Sequence, residues 1–311
     1  MAVDFWSDGG VSTGYPSRRP GSRYPWVGKF LSIRALALIV LASLAPLSAG
    51  AAASAAAKSP TLPDLRSNAF YILDSSGAKV LAARNERAAV PIASITKLMT
   101  ALVVLEARQR MDQIITITRD DVRATPGSRS RLAPGARLSR SDLLHLALMS
   151  SENRAANALC RAYPGGMQAC VRAMNRKAKT LGMKSARFVE PTGLSSSNVS
   201  SPVDLAKLVR AAAMNSTVRK FSTDPDHAVS IKGRALEFRN TNSLVKKPDW
   251  QVTVQKTGYN ADAGRCLVMQ AVIDGRDVVI ILLNSWGRLT RIGDANRVRD
   301  WMETYHPDHD G

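Results

Sequence analysis

The order in which strand-like and helical stretches follow one another is what most narrows the folds open to this chain. Residues 69–74 and 79–83 are short apolar runs separated by Ser-Ser-Gly-Ala, the pattern of a β-hairpin. Pro91 precedes a helical pattern from about 94 to 108, with Leu98, Leu102 and Leu105 on one face. Residues 114–118 alternate like an edge strand, and a Gly- and Arg-rich loop follows through Gly135. Helical periodicity returns at 141–149, 153–161, 167–181 and 202–214. The last third then reads as strands at 228–232, 236–240, 252–257, 266–273 and 278–283, closed by a helix at 291–303. Strands from both ends of the sequence with helices between them predict one α/β unit, an antiparallel sheet flanked by terminal helices plus a helical lobe. No internal repeat interrupts it.

The beginning of the chain has a different character. Arg18, Arg19, Arg23, Lys29 and Arg34 precede an apolar run over 35–47, and a small-residue stretch over 48–57 follows. This is the layout of a secretory signal, and 1–57 is assigned as a targeting segment. The apolar run falls short of the ~20 residues that a membrane span needs, so no stable anchor is expected once the signal is removed, although an uncleaved anchor is the competing reading. The stretch before Lys29 is long for a signal and rich in Gly, Ser, Pro and aromatics, so translation is expected to start further in, at Val27. The folded domain is expected over 64–303, with a short acidic tail over 304–311. Export makes the expected location periplasmic and oxidising, where three cysteines leave at least one thiol unpaired. Cys160 and Cys170 bracket a Tyr-Pro-Gly-Gly turn, which leaves their pairing open; Cys266, in an apolar strand-like run, reads as a buried inert thiol.

Lys and Arg outnumber Asp and Glu by 43 to 25, a formal net charge of +18, and the excess is spread along all 311 residues. Such a surface suits anionic surroundings such as cell-wall polymers or phospholipid headgroups. No zinc-finger spacing, RNP-like aromatic run or basic-region heptad marks a nucleic-acid binder. His145, His227, His306 and His309 are scattered without His-x-x-x-His spacing, and no Cys-x-x-Cys occurs, so neither metal nor cofactor is called for.

Ser-x-x-Lys occurs three times, at Ser76–Lys79, Ser94–Lys97 and Ser243–Lys246, and context has to choose among them. Ser76 falls in the hairpin turn and Ser243 in a polar loop, whereas Ser94-Ile95-Thr96-Lys97 opens a helix. At i and i+3 the hydroxyl and the amine share one helix face, and the helix N-terminus favours negative charge developing nearby. Alone, the match describes an N-cap serine followed by a surface lysine. Two further elements change that. Ser151-Glu152-Asn153 falls between two helical patterns, and Lys256-Thr257-Gly258 stands at the end of a strand. This trio, in this order, is shared by β-lactamases and penicillin-binding proteins. Ser196-Ser197-Asn198 is a second Ser-x-Asn, but it follows Pro-Thr-Gly-Leu and reads as a structural turn.

The stretches around the trio, Pro91 to Thr100, Met149 to Ala156 and Gln255 to Tyr259, resemble the low-molecular-mass penicillin-binding proteins, the serine D-Ala-D-Ala carboxypeptidase and endopeptidase family; so does Phe188 to Leu194. The likeness runs from about Asp64 to Trp301 and is strongest to the short endopeptidase branch, which has the Ser-Glu-Asn form. It implies a DD-peptidase/β-lactamase-like fold with the active site between sheet and helical lobe, peptidoglycan peptides as substrate and β-lactam antibiotics as covalent inhibitors. By the same resemblance Ser94 is the nucleophile, Lys97 its base and Ser151 a proton relay. Asn153, Lys256, Thr257, Gly258 and Tyr259 line the substrate, the backbone N–H groups of Ser94 and Tyr259 form the oxyanion hole, and Arg288 assists with the substrate carboxylate. The chemistry asks for this. A serine hydroxyl needs a base within hydrogen-bond reach, and a lysine serves only if burial or neighbouring cations, Lys256 being the candidate, strip its proton.

A β-lactamase would need a fast route to deacylation. The class A loop pattern Glu-x-x-x-Asn is not met at Glu190, whose fourth following residue is Leu194. A non-catalytic penicillin sensor would show a missing motif residue, and none is missing.

Overall fold

The computed structural model describes residues 63–304, Gly77 excepted; the targeting segment, the Val27 start and most of the tail lie outside the described residues. A hairpin opens the fold, β1 (Ser67–Asp74) and β2 (Lys79–Arg84). A short β3 (Val90–Pro91) follows, then α1 (Thr96–Glu106), β4 (Ile114–Thr116) and α2 (Arg119–Arg123). Next come β5 (Arg137–Ser139), α3 (Arg140–Met149), α4 (Asn153–Arg161) and α5 (Gly166–Thr180). After β6 (Val199–Ser200) the chain forms α6 (Pro202–Ala213), α7 (Ser216–Thr223) and the hairpin β7 (Asp226–Ile231) and β8 (Arg234–Arg239). It ends in β9 (Gln251–Asn260), β10 (Gly264–Ile273), β11 (Arg276–Ser285) and α8 (Thr290–Thr304).

The main sheet has five antiparallel strands in the order β2-β1-β11-β10-β9, so strands from the two ends of the described chain pair directly, Tyr71 opposite Ile281. Strand β11 is apolar without alternation because both its faces are covered. Val279, Ile281 and Leu283 enter the core shared with the helical lobe, whereas Val278, Ile280 and Leu282 pack with Ala295, Val298 and Met302 of α8. This is the expected α/β arrangement with terminal helix and helical lobe.

Several local expectations change. Helix α1 is buried from Thr96 through Val104, on every side rather than along a Leu98–Leu102–Leu105 stripe, because α3, α4, α5 and α6 surround it. The Gly- and Arg-rich stretch contains α2, whose Thr118 and Asp121 form a reciprocal cap; Asp121, fully buried, also accepts from Asn157 and Arg161. Strand β9 runs on to Asn260, so Lys256-Thr257-Gly258 lies inside it and not at its end. The β7–β8 pair stands as its own two-stranded sheet.

The helices start where their caps dictate. Ser139 and Ser201 accept from the N–H groups of Asp142 and Asp204, and Pro202 occupies the first turn of α6, where no N–H is needed. Cys160 at the end of α4 and Cys170 in α5 are joined by a disulfide, their Cα atoms 5.4 Å apart. Cys266 is a buried free thiol whose pKa burial pushes up to about 11, as an inert thiol requires.

Candidate active site

Ser94 sits in a single 3-10 turn, Ala93–Ile95, that leads into α1. The turn is tense, because Ala93 has φ +46°, a region that side chains other than glycine rarely occupy. Lys97, one residue into α1, is buried, and its Nζ lies 2.7 Å from Ser94 Oγ, 2.6 Å from Asn153 Oδ1 and 2.6 Å from Thr192 O. Burial pushes the amine down to about 7, opposed by the charges of Glu190 and Glu152. Asn153 Oδ1 and Thr192 O can only accept. In the neutral amine they take its two N–H groups, which leaves the lone pair for the Ser94 hydroxyl.

Asn153 is the first residue of α4, and its approach to Lys97 fixes the Ser151–Asn153 segment beside Ser94. Ser151 has φ +61°, the second strained non-glycine at the site. Glu152 caps α4 by accepting from Arg154 N and is nearly buried; its pKa is raised by that burial against the pull of Ser130, Arg154 and Lys97.

The opposite wall is β9. Its Gly258 runs so close to the Ser94 turn that a Cβ there would lie 3.0 Å from Ile92 O and 3.2 Å from Ser94 N. Lys256, two residues earlier, is buried and donates to Thr257 O at 2.8 Å; burial holds its pKa well below the ordinary lysine range, with Lys97 and Arg291 adding to the effect. Of the two causes expected from the sequence, burial and a neighbouring cation, it is burial that lowers Lys97. Thr257 Oγ1 is 2.6 Å from Thr241 Oγ1, and Thr241 N donates to Met149 O, which ties β9 to the end of α3 just before Ser151. Nothing in the sequence singled out Thr241. Tyr259 is exposed, with the Arg265 guanidinium 4.5 Å from its ring centre. Arg288 is exposed and lines a recess together with Tyr259.

The loop from 188 to 198 closes the third side and supplies Thr192 O. Glu190 organises it, its two oxygens accepting from Thr192 N and Oγ1, Gly193 N and Asn198 Nδ2. Asn198 is fully buried, accepts from Val189 N and donates to Thr96 Oγ1, so the second Ser-x-Asn is structural as expected. The rival Ser-x-x-Lys serines stand elsewhere: Ser76 donates to no lysine and bonds Asp277 N across the hairpin turn, and Ser243 opens a 3-10 turn after Asn242.

A buried lysine hydrogen-bonded to a serine, with a glycine-bearing strand pressed against that serine's backbone, on this fold, defines the class of serine-type DD-peptidases that act on D-Ala-D-Ala bonds of peptidoglycan. A family model described as D-alanyl-D-alanine carboxypeptidase, peptidase family S11, matches residues 55–286, and the chain belongs to that family. It is 44% identical over 247 residues to a D-alanyl-D-alanine endopeptidase of Pseudomonas aeruginosa, covering 79% of this chain and 80% of that one. To the D-alanyl-D-alanine endopeptidase of Escherichia coli it is 42% identical over 279 residues, 88% of each chain. Among solved structures it matches a Streptomyces DD-transpeptidase with TM-score 0.73 and 26% identity, over 79% of this chain and 100% of that one. A D-alanyl-D-alanine carboxypeptidase from Mycobacterium tuberculosis gives 0.72 and 27%, over 81% and 96%. Among the described residues no helix is long and apolar enough to cross a membrane.

Proposed function

We propose that this chain cuts D-alanyl bonds in peptidoglycan through an acyl-enzyme on Ser94, mainly the bonds that cross-link neighbouring stem peptides, with D-Ala-D-Ala carboxypeptidase action as a second activity. The observation that carries the reading is the 2.7 Å contact between Lys97 Nζ and Ser94 Oγ in a buried setting that holds the amine near pKa 7. Neutral Lys97 takes the Ser94 proton as Oγ adds to the carbonyl carbon, and the C=O pair moves onto oxygen. The N–H groups of Ser94 and Tyr259 face that oxyanion, Gly258 allowing the close approach. Collapse breaks the C–N bond, and the proton returns through Ser151 to the leaving amine; water then releases the acyl group. Asn153 Oδ1 is occupied by Lys97, which leaves its Nδ2 for the substrate amide. Lys256 and Thr257 take the carboxylate side of the scissile bond, assisted by Arg288.

The likeness to endopeptidases from two bacteria, over most of both chains, supports the cross-link preference. In this reading residues 1–57 direct export, residues 64–303 are the catalytic domain and 304–311 a short tail, so that the enzyme works in the periplasm on anionic wall to which the excess of Lys and Arg over Asp and Glu is suited. Incubation with penicillin followed by mass spectrometry should place the adduct on Ser94, and purified enzyme should convert cross-linked muropeptide dimers to monomers. Labelling of Ser76, Ser151 or Ser243 instead overturns the nucleophile, and trimming of pentapeptides with dimers left intact overturns the cross-link preference.

A further inference from the structure

At the end of β9 away from Gly258, its pairing with β10 slips. Gln270 pairs with Val254 and Ala271 with Val252, so Thr253 is left over as a bulge. Bulges re-aim the side chains around them and recur beside functional sites. Here Thr253 and Gln270 both line a recess of about 600 Å³ that is bounded by α6, α7 and the ends of β1 and β11. It is separate from the Ser94 cleft. Thr253 lies about 17 Å along the strand from Gly258. Between the two, Gln255 Nε2 donates to Ser222 O at 2.6 Å and fastens α7 onto β9.

Gln270 is out of keeping with its row. Val254 and Val279 across the strands and Val268 two residues back share its face, and all three are fully buried in the core. Gln270 is only 8% exposed, yet among the described residues its amide has no hydrogen-bond partner. A buried amide left unpaired costs stability, so its place on the recess wall points to a ligand that brings both an N–H and a C=O. The charges around it narrow the ligand further. Lys207 is neutralised by Asp204, but Arg210 and Arg219 have no ion-pair partner among the described residues. Arg219 is held in place by donating from Nη1 to Ala213 O at 2.6 Å. Asp277, exposed on the opposite wall, also lacks an ion pair among the described residues, and Met214 at the rim is 85% exposed.

We infer that this recess is a second, non-catalytic binding site for the glycan strand of peptidoglycan, and that it takes an acetamido sugar carrying a free carboxylate. The acetamido group satisfies Gln270, its N–H donating to Oε1 and its C=O accepting from Nε2. Arg210 and Arg219 pair with the carboxylate. Asp277 and the Thr253 hydroxyl meet the ring hydroxyls, and the Met214 thioether covers the apolar face of the ring. Such a carboxylate is free on strands from which the stem peptides have been removed. The inference rests on the peptidoglycan reading above and adds a grip on the polymer away from the bond being cut, which raises the effective concentration of cross-links at Ser94.

The probe is the glycan strand alone, prepared by amidase digestion of peptidoglycan so that its lactyl carboxylates are free, with a sugar-free stem peptide as the comparison. Titration calorimetry should show the strand binding equally to the wild type and to its penicilloyl adduct, in which the Ser94 cleft is filled. Gln270→Leu keeps the volume and removes the amide, and it should weaken binding by about 10-fold or more, the scale of a ligand amide left unpaired. Arg210→Gln should also weaken binding and make it less sensitive to salt. Both variants should react with penicillin and cleave the sugar-free peptide as the wild type does. The Tm of Gln270→Leu should be no lower than that of the wild type, because the amide it lacks had no partner to lose. The site is overturned by a strand that does not bind the wild type, by one that binds Gln270→Leu as tightly, or by a Tm in that variant well below the wild type's. Loss of stem-peptide binding in Gln270→Leu, with strand binding unchanged, overturns the glycan assignment. A wild type that binds the strand but forms no penicilloyl adduct overturns the DD-peptidase reading and not the site.

Discussion

Gly193 rests on the backbone of Ala93: a methyl group on Gly193 would sit 1.8 Å from Ala93 O and 2.8 Å from Ser94 N. Both residues have positive φ, +83° and +46°. The 188–198 loop therefore presses on the strained turn that presents Ser94, and no flexible side chain stands between them to absorb a change. The loop holds Lys97 as well, through Thr192 O. Ser94 and Lys97 are thus aligned by one backbone contact that has room only for glycine.

Gly193→Ala should for that reason damage the site more than its single methyl suggests. The added carbon displaces either the loop or the Ala93–Ser94 turn, so acylation by penicillin should slow by about 10-fold or more, since misplacement by about 1 Å costs more than that. Time-resolved mass spectrometry of the adduct gives the rate. Acylation at the wild-type rate would mean that the contact does not position Ser94.

The state of Lys97 sets a pH dependence. The amine acts as a base only when neutral, and with its pKa near 7 the neutral fraction climbs as pH rises through 7. The penicillin acylation rate should therefore rise with a midpoint near pH 7 and level off above about pH 8. Asn153→Asp places a carboxylate where the amide oxygen now accepts from Nζ, which favours the ammonium form. The midpoint should then move up by about 1 unit or more. A midpoint that stays put in this variant would remove Lys97 as the group being titrated.

Much of this was legible because it is local. The Ser94–Lys97 spacing, the apolar runs of the 69–83 hairpin and the helical periodicity of 141–149 and 202–214 each depend on a few neighbouring residues. What the sequence hid depends on distant ones. Helix α1 lost its stripe because four helices surround it, a fact no periodicity records. The bond from Thr241 to Thr257 joins a loop to strand β9, and nothing in either stretch marks the two as partners. Cys160 and Cys170 were left open because their pairing is decided by how α4 meets α5. Helix α2 was hidden by its flanking Gly, Pro and Arg, and the buried Asp121 that anchors it is satisfied from α4, about 40 residues away.

A second pH effect concerns stability. His145 is buried between the Phe221 ring, 4.4 Å away, and the His227 ring, 4.0 Å away. Burial first and His227 next push its pKa down to about 4, against the pull of Asp224 and Asp142. Between the unfolded value of 6.5 and 4, the unfolded chain takes up a proton that the folded one refuses. The stabilising contribution is complete above pH 6.5 and is lost as pH falls towards 4. Thermal unfolding followed across that window should show Tm dropping, and His145→Gln should flatten the drop even if it lowers Tm at pH 7. An equally steep drop in the variant would shift the cause to other groups.

Glu190 separates slow from fast release of the penicilloyl group. A loop glutamate that activates water is what a class A β-lactamase would need. Here both carboxylate oxygens are spent, Oε2 on Thr192 N and Oγ1, Oε1 on Gly193 N and Asn198 Nδ2. These partners, and Ser195 N at 3.4 Å from Oε1, are all donors, so a glutamine oxygen can satisfy only one set and turns its NH2 towards the other. Glu190→Gln should cost about 1–3 kcal/mol, the penalty of leaving such groups unpaired. For a domain of this size that is a Tm lower by roughly 2–10 °C. Removing the charge also takes away one influence that keeps Lys97 protonated, so the acylation midpoint should fall below the wild-type one. The lifetime of the penicilloyl ester should not lengthen, because a carboxylate with both oxygens engaged is not the base for a deacylating water. If Glu190→Gln instead keeps its Tm and holds the adduct many times longer, Glu190 is a catalytic base and the enzyme is closer to a β-lactamase in its chemistry than its fold relatives suggest.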